Sequence, residues 1–235
     1  MITSTICVFL MSLLCAGLIE AIFQPILVGD AGLLLTALLL RKLMVSLCFV
    51  VPPVLYVIFV RGLSLHYLGL RRERWVKMVL LGVAMGIPIA ALWVLNLILE
   101  HGSSLILIGE PDLSFPSYLY GTDLRGITFQ RYLSFEIVNQ MLVSISEEVL
   151  FRGFLQTSLT ERIGYIRGYL ITLSLFAILH LSSRCELYPV FMDALFGGIV
   201  VGFLYHKTGS LMAPIATHYT SNLLERILTA ILKFR

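Results

Sequence analysis

Two adjacent acids stand in the apolar second half of this chain, in the stretch Ser146-Glu147-Glu148-Val149-Leu150-Phe151-Arg152. Glu148 and Arg152 are four residues apart, so on a helix they share a face and can pair. Glu147 points about 100° away from Glu148. One carboxylate is therefore neutralised within its own helix while the other faces elsewhere. Two acids with a single in-helix cation leave a net negative site, suited to a general base or acid. An interfacial Glu-Arg pair at a helix end would need only one acid.

Two further groups follow. In Phe176-Ala177-Ile178-Leu179-His180 a histidine ends an apolar run, one helical turn after an aromatic residue. Alone it reads as an ordinary hydrogen-bonded residue near a helix end. Placed beside the acids it reads differently. If residues 131–160 and 167–182 form antiparallel helices joined near Gly164, Glu147 lies 17 residues before the turn and His180 lies 16 after it. At about 1.5 Å rise per residue both sit roughly 25 Å from the turn and can meet at one depth. The last group is His218-Tyr219-Thr220-Ser221-Asn222, whose His218 and Asn222 share a helix face. Asn222 also suits a helix-to-helix hydrogen bond, but the pair looks like two donors aimed at one oxygen. His218 is only nine residues from its own turn at Gly209, so its helix must be offset or tilted to bring it to the others. Glu225 and Arg226 read as an ion pair nearer the interface. Gly198 and Gly202 form a small face for close helix packing, and Thr208-Gly209-Ser210 a tight turn with Ser210 as the cap of the last helix.

The elements that must carry these residues are membrane helices. Hydrophobic residues make up 58% of the 235 and charged residues 13%, against about 45–50% and about 25% in soluble domains. One water-soluble core could not hide that much apolar surface. Ionisable residues within such runs are costly and mark function by default. Spanning helices need about 20 apolar residues; the candidate segments are 2–23, 26–40, 43–60, 76–99, 131–160, 167–182, 189–206 and 210–231, the second and third separated only by Arg41-Lys42. An all-α integral membrane protein, a bundle of seven or eight transmembrane helices, is expected. Residues 1–130 supply N-terminal helices and an external loop, His101 to Arg125, and residues 131–235 the core with the motifs, in one structural unit. Arg61, Arg71, Arg72, Arg74 and Lys77 place their connection on the cytoplasmic side, with the turn near Gly164 and His206-Lys207. The net charge of +3 is too small and too dispersed for nucleic acid binding. Cys7, Cys15, Cys48 and Cys185 form no CxxC pair, which argues against a disulfide framework or zinc knuckle. The start Met1-Ile2-Thr3-Ser4-Thr5 has no basic stretch, so the first apolar run reads as a retained span.

Glu147-Glu148-x-x-x-Arg152, Phe176-x-x-x-His180 and His218-x-x-x-Asn222, together with the glycine-rich stretch before Thr208, resemble the motifs of the CPBP family. These are the CAAX-protease and bacteriocin-processing intramembrane proteases, also called Abi-type proteins. The resemblance covers about residues 131–231, with the motifs in order. It implies a CAAX-type peptidase inside a helical bundle. Glu147 then matches the acid that activates the hydrolytic water, assisted by His180; His218 and Asn222 match the residues that stabilise the oxyanion; Glu148 and Arg152 match supporting positions. A pair of Glu and a pair of His could bind zinc, but the spacing is not His-Glu-x-x-His and an asparagine closes the set. A glutamate-dependent mechanism without cofactor or metal is favoured over a zinc-dependent version.

The expected hydrolase cuts a membrane-associated protein or peptide near the lipid bilayer surface, in a multi-pass protein of a bacterial cytoplasmic membrane. The short loops favour a peptide leader or a C-terminal anchor over a prenylated C-terminus as substrate. Nothing in the residues speaks for an oligomeric state. A non-catalytic immunity or scaffold protein of the same fold would not need the complete Glu-His-His-Asn set. A proton-coupled transporter would be expected to show inverted repeats.

Overall fold

The computed structural model describes residues 2–23, 31–101, 105–107, 118–119, 122–123, 128–184 and 195–234. The described chain is helical apart from two short antiparallel ladders, Leu105–Leu107 with Leu232–Phe234 and Tyr118–Leu119 with Thr122–Asp123. The helices are α1 (Ile2–Phe23), α2 (Ala31–Leu55), α3 (Trp75–His101), α4 (Phe129–Glu148), α5 (Thr157–Ile163), α6 (Tyr165–Arg184), α7 (Gly198–Thr208) and α8 (Met212–Ile231). A π-helical segment, Val149–Gln156, joins α4 to α5 without a break.

Three helical stretches, Ile2–Phe23, Leu34–Val60 and Trp75–Asn96, are long and apolar enough to cross a bilayer. Large apolar side chains point outward from them: Leu14 is 70% exposed, Phe59 77% and Leu80 63%, a surface that lipid tails cover at no cost. Segments 26–40 and 43–60 do not form two spans. Arg41-Lys42 lies inside one continuous helix, because Arg41 is buried and meets Glu20 of α1 at 3.3 Å. The second and third candidate segments are therefore parts of a single helix. Pro52 and Pro53 lie inside α2, where each ring removes a backbone donor. The helix widens directly after them into a π turn, Tyr56–Val60. Of the segment 189–206, α7 begins only at Gly198; Cys185 and most of the external loop from His101 to Arg125 lie outside the described residues.

The core sits where α1, the π segment and α6 meet. Phe151 packs edge-on against Phe9 and Phe176, at ring separations of 5.7 and 5.0 Å, and Phe154 against Tyr56 at 5.7 Å. Every residue from Val149 to Gln156 is buried. α3 runs along α8, and the reason is a stripe of small residues at four-residue spacing, Gly82, Gly86 and Ala90. A side chain at Gly82 would strike the Ala213 carbonyl of α8, and one at Gly86 would come within 2.7 Å of the Thr217 carbonyl. This is close small-residue packing in the half of the chain where the sequence shows no motif.

Three connections gather at one end of the bundle. Tyr67 donates from its hydroxyl to Glu161 at 2.9 Å, beside Arg61, and Tyr165 stacks on His206 at 3.5 Å. Residues 61–74, the Gly164 turn and the Gly209 turn thus share one side, as the charge pattern requires. Gly164 and Gly209 adopt left-handed φ of 83° and 60°, which glycine reaches without steric cost. Ser210 Oγ accepts from the Met212 N–H at 3.3 Å and caps α8.

Candidate active site

Glu147 and Glu148 end α4, at the point where the helix widens. π-helical turns are frequent at functional sites, and here the widening keeps the acids and Arg152 on inward-facing positions. Glu148 is fully buried. Its Oε1 accepts from Arg152 Nη1 at 2.9 Å and from His218 Nδ1 at 2.8 Å. Arg152, 1% exposed, lies over the Phe176 ring at 4.3 Å and reaches the Gly198 carbonyl at 3.5 Å. Four residues on, Gln156 donates to the Gly202 carbonyl at 3.1 Å. The glycine pair of α7 therefore does more than bring helices together. With no side chain at 198 or 202, the Arg152 and Gln156 side chains reach backbone carbonyls directly, and a Cβ at Gly198 would lie 2.8 Å from Leu173.

Glu147 faces the other way, as helical geometry requires. Its Oε2 stands 3.9 Å from His180 Nε2 and 4.0 Å from His218 Nε2. That oxygen is buried and within hydrogen-bond distance of neither. Both rings are oriented from behind. His180 Nδ1 lies 2.9 Å from the Phe176 carbonyl, which can only accept, so Nδ1 carries the hydrogen. His218 Nδ1 faces a carboxylate oxygen and donates for the same reason. Both Nε2 atoms are left facing Glu147. Phe176 explains its place one turn before His180: its carbonyl sets that ring, its own ring lies 4.3 Å from the His180 ring, and its face receives the arginine.

The offset of His218 has a structural cause. The connection Leu65–Leu68 turns inward, and Leu68 is fully buried against Gly153. The Gly209 turn docks on it, with the Leu211 N–H donating to the Gly69 carbonyl at 2.9 Å. Close by, Thr157 Oγ1 and the Tyr205 hydroxyl are 2.8 Å apart. These contacts fix the start of α8, and His218, nine residues after Gly209, meets Glu148 at 2.8 Å.

Asn222 does not share a partner with His218. Its Nδ2 donates to Gln140 Oε1 of α4 at 3.1 Å. Gln140 Nε2 donates in turn to Glu136 Oε2 at 2.7 Å, and Asn139 Nδ2 to the same oxygen at 3.1 Å. These three residues, all buried, were missed in the sequence. Their signal was available: Glu136, Asn139 and Gln140 are polar at three- and four-residue spacing on the helix that carries the acids. A cavity of about 90 Å³ opens beside the cluster, lined by His180, His218 and Asn222, by Trp93 of α3, and by Glu225 and Arg226. Those last two thus border the cavity instead of standing apart from it. Glu147 does not line it.

Fold and site together define a helical protein with a bilayer-facing apolar surface and a paired-carboxylate, paired-histidine centre where α4, α6 and α8 converge. Residues 129–224 match the family model for Rce1-like type II CAAX prenyl endopeptidases. The chain is 33% identical over 107 residues to the uncharacterized protein YpbD of Bacillus subtilis strain 168. The match covers 45% of this chain and 52% of YpbD, so the chain spans about half the length of that relative. No solved structure matches significantly.

Proposed function

We propose that this protein is an intramembrane endopeptidase that hydrolyses a peptide bond of a membrane-associated protein or peptide, in a bundle of seven spanning elements with α4, the π segment and α5 as one. The observation that carries this reading is the approach of Glu147 Oε2 to both histidine Nε2 atoms at 3.9 and 4.0 Å, beside a cavity that ends on Asn222. A water oxygen about 2.8 Å from each member of such a pair subtends roughly 90°, an ordinary hydrogen-bonding arrangement. It gives one hydrogen to Glu147 and the other to His180, whose Nε2 lone pair faces it. Glu147 takes the proton as the water oxygen attacks the scissile carbonyl carbon. The carbonyl electron pair moves onto oxygen, and the oxyanion faces His218 and Asn222. The oxyanion electron pair then re-forms the carbonyl as the C–N bond breaks, the proton held by Glu147 passes to the leaving amine, and Glu147 is a carboxylate again.

His218 can donate to the oxyanion only if Nε2 also carries a hydrogen, since Nδ1 already donates to Glu148. Each donor at a developing oxyanion is worth about 3–4 kcal/mol.

Two histidines and a carboxylate are also zinc-type ligands. Tetrahedral zinc with bonds near 2.0–2.1 Å holds its ligands about 3.3 Å apart, closer than the spacings at Glu147. Among the described residues no cluster of three ligating side chains is arranged for a metal.

The test uses the full chain reconstituted in lipid vesicles, with a farnesylated C-terminal peptide and membrane-anchored leader and C-terminal anchor peptides as probes. Cleavage is expected in the wild type, and its loss in Glu147→Gln and His180→Ala. Cleavage that survives Glu147→Gln removes Glu147 as the base. Loss on chelation, restored by zinc, replaces this mechanism with the zinc-dependent one. An intact protein that cuts no probe supports the scaffold reading.

A further inference from the structure

We propose that Glu136, acting through Gln140, is a positioning residue that fixes which end of the Asn222 amide faces the cavity. The proposal rests on Asn222 acting as an oxyanion donor. An amide is useful there in one sense only: turned round, it would offer an acceptor to a developing negative charge.

The sense is set by a one-way chain. Glu136 Oε2 accepts from Gln140 Nε2 at 2.7 Å and from Asn139 Nδ2 at 3.1 Å, and a carboxylate oxygen holding two N–H groups is acceptor only. If Gln140 turned over, its carbonyl oxygen would face that carboxylate oxygen inside a fully buried site. Gln140 must therefore present Oε1 on its other side. Asn222 meets it with Nδ2 at 3.1 Å, since a carbonyl there would again set acceptor against acceptor. The amide of Asn222 is thus held with its nitrogen end toward Gln140, at the border of the cavity that Asn222 lines. The charge that decides this lies eleven residues before Glu147, on a buried face of α4. Lys42 of α2 is near enough to interact electrostatically with both Glu136 and Glu147.

Glu136→Gln tests this without changing shape, because an amide at 136 can donate or accept and no longer dictates the orientation of Gln140. In reconstituted full-length protein, kcat for the peptide probe is expected to fall about 10- to 100-fold, up to the loss of one oxyanion donor, with KM within about twofold. In the Asn222→Ala background the same change should have no further effect on kcat. A second measurement is independent of activity. Asn222→Asp sets a carboxylate against Gln140 Oε1 and should lower the melting temperature; adding Glu136→Gln lets Gln140 turn and should restore part of the loss. Unchanged kcat in Glu136→Gln, an equal drop with and without Asn222, or an undiminished melting loss in the double variant overturns the proposal. If the wild type cuts no probe, the peptidase reading fails, and the melting cycle alone decides whether Glu136 sets the amide.

Discussion

Arg152→Met should be among the most destabilising single changes in the molecule, and most of the damage should be reversible by a second change. Arg152 and Glu148 are 1% and 0% exposed and pair at 2.9 Å. Removing the guanidinium leaves a carboxylate with no access to water, supported only by His218. Breaking one side of such a buried pair costs about 3–5 kcal/mol. For a chain of this size each kcal/mol lowers Tm by about 2–4 °C, so a loss of roughly 6–20 °C is expected. Adding Glu148→Gln removes the stranded charge while leaving an oxygen to accept from His218 Nδ1. The Met side chain still fills the space over Phe176, and the double variant should regain more than half of the loss. Arg152→Lys should fall between, because an ammonium can pair with Glu148 but cannot also lie flat on the ring and reach the Gly198 carbonyl. The assay is thermal unfolding in detergent followed by size-exclusion chromatography. A wild-type Tm for Arg152→Met, or a double variant as unstable as the single, would refute the assignment of Arg152 as the counter-charge of a buried carboxylate.

Other outcomes follow from the same geometry. Glu147→Gln should leave Tm within about 2 °C of wild type, because Glu147 Oε2 gives up no direct hydrogen bond, whereas Glu148→Gln should lower it through the loss of charge-assisted bonds worth about 1.5–3 kcal/mol each; equal melting shifts would contradict the division of labour between the two acids. Gly86→Ala places a methyl group 2.7 Å from the Thr217 carbonyl, so it should push α8 outward and depress both Tm and cleavage, while Gly17→Ala, with nothing within 4 Å of the new atom, should change neither by a measurable amount. Leu68→Ala empties a fully buried position beneath the Gly209 turn and should cost about 2–5 kcal/mol; cleavage should fall with it, read in vesicles at a temperature where the variant is still folded, because the depth of His218 depends on that turn.

What the residues alone determined is which polar side chains stand in apolar surroundings and which faces they occupy. A glutamate pair, two histidines and an asparagine in apolar surroundings cannot stay unexplained, since each is expensive in a bilayer. Helical periodicity assigns Glu148 to Arg152 and turns Glu147 away, and the matching distances of Glu147 and His180 from Gly164 place them at one depth. Periodicity carries no information about axial offset between helices distant in sequence, or about partners across them. Only the tertiary structure decided that the chain after the Gly209 turn docks on the Gly69 carbonyl and that His218 meets Glu148. Only packing decided that α2 runs unbroken through Arg41-Lys42, where Glu20 of another helix makes the cation tolerable. The fate of Asn222 was decided in the same way. Its amide is bound to Gln140 and, through it, to Glu136. The reason is common to all three cases: local pattern sets the direction of a side chain, while the group it meets is set by the docking of segments far away in the chain.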